Sequence, residues 1–176
     1  VALAGTAGCG FQQQLEAAFK AVSPVSAAAP YVPAGYLPRA FIGSPHGDVE
    51  NAGFVRPNSV LGIFLVTADE DCSVTDYALF YRDPRFDGVA LNLRCHMFPD
   101  QLHPTSRYVE GLLALRSDPR RLVFGGLFGL GESLAGSDET AYRIALDDRS
   151  LEETPDSSTT PPTRLLPSCN TADGGE

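Results

Sequence analysis

The sequence predicts an α/β domain, and three observations carry that expectation. Apolar residues recur at helical spacing near the N-terminus and again around residue 110; two unbroken apolar runs, 60–66 and 122–128, have the length of strands; and helical and strand-like segments alternate along the chain. At 176 residues, with 43% hydrophobic and 20% charged residues, the chain has the size and composition of one domain able to bury a core.

Gly8, Cys9 and Gly10 give a permissive entry to the first element. Phe11, Leu15, Ala18, Phe19 and Val22 then fall on one face of a helix over 10–22, which should press Phe11, Leu15 and Phe19 against a sheet. Ser23-Pro24 ends it, and prolines at 24, 30, 33, 38, 45 and 57 make 23–58 a long irregular insertion, expected over one end of the sheet. Val60-Leu61-Gly62-Ile63-Phe64-Leu65-Val66 suits a strand buried on both faces of a parallel sheet. Pro104 fits the first turn of a helix to about residue 116, with Tyr108, Val109, Leu112, Leu113 and Leu115 as its apolar face. The run 122–128 is the second strand, expected parallel to the first and adjacent or nearly so. Beyond it, 142–146 suits either a strand or a helix, and 147–176 is an irregular, Ser/Thr/Pro-rich tail whose 154–163 stretch reads as a solvated loop or linker.

The net charge of −9, with only 13 scattered basic residues, argues against a nucleic-acid partner. All of those bases but Lys20 are arginines, a bias attributed to genome composition. No apolar run approaches the roughly 20 residues that cross a bilayer, so no transmembrane segment is expected in this chain. Its sole methionine is Met97, which suggests a piece of a longer protein.

The four cysteines lack any C-x-x-C spacing, which leaves disulfides or inert core thiols. Cys72 and Cys95 lie in polar sequence, which favours an oxidising, extracytoplasmic compartment. Cys72 belongs to an acidic turn, Thr67-Ala68-Asp69-Glu70-Asp71-Cys72-Ser73, at the C-terminal end of the first strand, where ligands of open α/β sheets bind. Its carboxylates are hard donors of the kind Mg²⁺ or Ca²⁺ takes; equally, one Asp can cap the next helix while the others face water. His46, His96 and His103 fall in loop-like sequence and read as surface histidines. Gly131-Glu132-Ser133-Leu134-Ala135 falls one glycine short of a nucleophile elbow and lies several residues past its strand, so a serine hydrolase ranks third among the functions considered. Gly125-Gly126 and Gly129-Leu130-Gly131 lack the Lys of a phosphate loop.

Gly5-Thr6-Ala7-Gly8-Cys9-Gly10-Phe11-Gln12-Gln13-Gln14-Leu15, Asn51-Ala52-Gly53-Phe54-Val55-Arg56, Phe64-Leu65-Val66-Thr67-Ala68-Asp69-Glu70-Asp71-Cys72-Ser73 and Leu93-Arg94-Cys95 together resemble von Willebrand factor A-like domains of secreted proteins and lipoproteins from myxobacteria and related bacteria. The resemblance continues through Arg107-Tyr108-Val109-Glu110-Gly111-Leu112, through 122–129 and to Leu166-Pro167-Ser168-Cys169. It implies a Rossmann-like, doubly wound, mainly parallel sheet in a single domain over 1–176, incomplete at both ends. The first strand, with its Asp-x-Ser-x-Ser motif, would precede Val1 and the final helix would follow Glu176. In such domains a Thr before a helix and an Asp after a central strand complete a metal-ion-dependent adhesion site. Cys9 and Ala68 stand at those positions here, which leaves Thr6, Asp69, Glu70 and Asp71 as candidate ligands of a weakly held Mg²⁺ or Ca²⁺. The function implied is non-enzymatic: an extracytoplasmic binding or adhesion domain of a bacterial envelope protein, recognising a protein or surface polymer at the C-terminal edge of the sheet, with a lipid anchor compatible with the full protein. The alternative is a structural scaffold of the envelope without metal-dependent binding. Cys72 and Cys95 are expected to form a disulfide, with Cys9 and Cys169 unpaired in this fragment.

Overall fold

A computed structural model describes residues 11–25, 45–67, 69–129, 138–148 and 151–166. Helices α1 (Gln14–Val22), α2 (Arg94–Met97), α3 (Thr105–Ala114) and α4 (Glu139–Leu146) alternate with strands β1 (Leu61–Val66) and β2 (Leu122–Leu127). The strands pair in parallel in a two-stranded sheet, so the chain is mixed α/β, and the expected pairing is present. Its contacts divide it into two compact units, one made of residues 1–64, 70–76 and 100–125, the other of residues 65–69, 77–99 and 126–176.

The first unit is built on α1, α3 and the N-terminal parts of the strands. Phe19 and Val22 of α1, Leu61 of β1 and Tyr108 and Leu112 of α3 form its buried cluster, with Leu15, Ile63, Leu115 and Leu122 packed partly against it. The helix starts at Gln14 rather than residue 10, so Phe11 precedes it and is only partly buried. The apolar face of α3 is rotated from the one expected. Arg107, Tyr108, Gly111 and Leu112 are buried, whereas Val109 is 53% exposed. Gly111 makes that register possible, since a Cβ there would run into the Phe19 ring. Pro104 sits just before the helix, at its N-cap position, rather than inside its first turn.

The expectation that β1 is buried on both faces does not hold among the described residues. Burial alternates along the strand, Leu61 inward and Phe64 and Val66 outward at 68% and 71% exposure. The uniformly apolar run concealed this period of two, because every side chain in it is hydrophobic whichever way it points. Residues 45–58, the described end of the insertion, fold onto the C-terminus of α1: the His46 amide donates to the Lys20 carbonyl (3.0 Å) and the Asn51 side chain to the Ala21 carbonyl (2.9 Å). Gly47 is required there, because any Cβ would collide with the backbone of Val22.

The second unit encloses Leu79, Phe86, Leu93 and Cys95 among short 3₁₀ turns. Of the two readings left open for 142–146, the helix is the one adopted, and the Asp138 carboxylate caps it by accepting from the Ala141 amide (2.9 Å). The stretch 154–163 is a largely exposed loop, as expected, and it is pinned at its base. Pro155 and Leu165 form an antiparallel bridge, and Asp156, only 7% exposed, accepts from the Ser158 amide and from Arg164. These contacts hold the Asp156 carboxyl down at about 2.

Candidate functional site

The acidic turn follows β1 and is fixed by backbone-directed bonds. Asp71 accepts from the Leu15 amide through Oδ2 (2.8 Å) and from the Ser73 amide through Oδ1 (3.1 Å), while Ser73 Oγ accepts from the Glu16 amide (3.2 Å). Gln13, at the N-cap position of α1, makes no side-chain cap, so the first-turn donors of that helix are met by a turn more than fifty residues later in the sequence. One Asp of the turn is therefore a helix cap, as one of the two sequence readings allowed, but for the preceding helix instead of the following one. The Cys72 amide donates to the Gln12 carbonyl (2.7 Å), the His103 amide to the Ser73 carbonyl (2.8 Å), and Val74 bridges Leu102.

Cys72 and Cys95 are disulfide-bonded, as expected. Cys9 and Cys169 lie outside the described residues, as do Thr6 and Ser133. Of the metal-ligand candidates that are described, Asp69 is exposed at the strand end, where its amide donates to Thr67 Oγ1 (3.1 Å), Glu70 is half-buried, and Asp71 is turned onto α1. Among the described residues no group of three His, Cys, Asp or Glu side chains is placed to hold a metal ion.

Beneath the turn lies a charged cluster that sequence reasoning missed. Arg107, whose side chain is fully buried, donates from Nε and Nη2 to the two carboxylate oxygens of Glu16 (3.0 and 2.9 Å) and stacks over Phe19 (5.4 Å). The His103 ring, expected at the surface, is 3% exposed and lies 4.0 Å from Glu16. Burial holds its pKa below the usual imidazole value; the Glu16 and Asp71 charges pull the other way and Arg107 reinforces the fall. Tyr108 Oη is buried, and burial, helped by the Glu16 charge, drives its pKa far up, so it stays neutral. The available signal was register: once Tyr108, Leu112 and Leu115 define the inward face of α3, Arg107 lies on it, and a buried guanidinium needs a carboxylate. His46, by contrast, is a loop histidine paired with Glu50 (2.8 Å).

No family model matches the chain, and no curated protein or solved structure matches it. Among the described residues no helix is long and apolar enough to cross a membrane.

Proposed function

We propose that this chain is a von Willebrand A-like, non-enzymatic binding domain of an extracytoplasmic bacterial protein, recognising a protein or surface polymer at the acidic turn. The observation that carries this reading is how firmly the turn is held. Asp71 and Ser73 are bonded into α1, and Cys72 is tied covalently to Cys95, so a surface at the C-terminal end of a parallel strand is set before any ligand arrives. The disulfide fits an oxidising compartment. Mg²⁺ or Ca²⁺ would be held weakly through Asp69 and Glu70, with Thr6 as a further ligand, because both oxygens of Asp71 already accept backbone amides. That engagement also favours the second reading, a scaffold domain of the envelope in which the turn serves the fold alone.

Melting with and without divalent ion, combined with Asp69→Ala/Glu70→Ala, separates the two, because an ion that binds only the native state raises its stability. On the binding reading, millimolar Ca²⁺ raises the melting temperature of the parent and not of the double variant, and the variant no longer attaches to intact bacterial envelopes. Equal attachment by parent and variant, with no response to the ion, leaves the scaffold.

A further inference from the structure

We propose that the cleft formed by Arg82, Asp83, Pro84, Asp87 and Arg94 is a binding site for a carboxylated sugar, a uronate. The cleft is shallow and open to solvent, about 490 Å³ in volume. Arg94 is only 8% exposed, and its guanidinium plane is fixed: Nη1 donates to the carbonyls of Leu79 (2.9 Å) and Tyr81 (2.6 Å), Nε donates to that of Val89 (3.4 Å), and the Phe86 ring lies 5.9 Å away. Nη2 makes no hydrogen bond to the described residues. A buried charged group with one donor edge unused, on the wall of a cleft, calls for an anion. Arg82 is exposed and forms no ion pair among the described residues, so it adds a second cation.

Charge selects the ligand class. Asp83 is bonded to Arg85 through both oxygens (3.0 and 2.8 Å), which, with a smaller pull from the Arg94 charge, holds its carboxyl at about 2; Arg82, Arg85 and Arg94 together exceed Asp83 and Asp87 by one charge. That single surplus positive charge suits a monoanion; a phosphate dianion would leave excess negative charge beside Asp87. A planar carboxylate also matches the guanidinium fork. Asp87 is exposed and can only accept hydrogen bonds, which suits the hydroxyls of a sugar ring next to its carboxylate. An amino-acid zwitterion would instead set an ammonium against Asp87, an exposed pairing of small worth.

The test is a titration of the isotope-labelled chain with sodium galacturonate, followed through its backbone amide resonances, with galactose, acetate and alanine as separate arms. Saturable shifts centred on residues 82–94 are expected with galacturonate, and binding at least about tenfold weaker in the other arms. Because Arg94 also braces the backbone, the variants are Arg82→Ala and Asp87→Ala, each expected to weaken binding about tenfold, the worth of one hydrogen bond to a charged group. The proposal is overturned by an absence of saturable shifts, by acetate or alanine binding as well as galacturonate, or by unchanged affinity in Arg82→Ala, which would leave Arg94 a backbone brace and nothing more.

Discussion

Glu16 serves two structures at once. Its amide donates to Ser73 as part of the α1 cap, and its carboxylate neutralises Arg107 in the core. His103 sits against the same carboxylate and is kept neutral by burial, which gives the fold a pH dependence of known sign. The unfolded imidazole takes a proton near pH 6.5 and the folded one only at lower pH, so across that window the unfolded chain binds more protons and stability falls as pH falls. The contribution is intact above about pH 6.5 and is lost once the pH passes below the folded value. Melting temperatures of the parent should therefore decline between neutral pH and about pH 5, and His103→Gln should flatten the decline. A His103→Gln profile as steep as the parent's would assign the dependence to other groups.

At the scale of elements, α1 meets α3 through Phe19 seated over Gly111, with Tyr108 edge-on to the same ring at 6.0 Å. Gly111→Ala tests that seat, because intrinsic helix propensity and packing oppose each other there. Alanine improves an exposed helix by about 1 kcal/mol relative to glycine, whereas overpacking a core costs about 1 to 3 kcal/mol. Net destabilisation in urea unfolding is expected, relieved when Phe19 is shortened to Leu in the same chain; a net gain would place the two helices farther apart. The positions of α1, α3, β1 and β2 were legible because their apolar residues follow periods of 3.6 residues or form unbroken runs. Which side of α3 turns inward was not, since Arg107 counts as polar in any hydropathy pattern and its partner Glu16 lies in another helix. The acidic turn was legible as a place, and helix capping was among its readings. That it caps α1 was hidden, because the donors it satisfies belong to a segment distant in sequence.

At the scale of the whole molecule, the Cys72–Cys95 disulfide is a covalent cross-link between segments distant in sequence. Closing the loop between Cys72 and Cys95 contributes about 3 kcal/mol in the chain-entropy model. The Cys72→Ser/Cys95→Ser chain should thus melt well below the parent, and identical denaturant midpoints would show that the reduced chain already holds the turn in place. The capping of α1 bears on the history of each molecule as well as on its stability. A nine-residue helix is too short to persist alone, and here its amide end is met by Asp71 and Ser73 while its carbonyl end is met by His46 and Asn51. During synthesis the carbonyl end of residues 14–22 can be closed once residues 46 and 51 are made, whereas the amide end must wait for residues 71 and 73. α1 is thus a helix whose amide end is completed only by sequence made more than fifty residues after it.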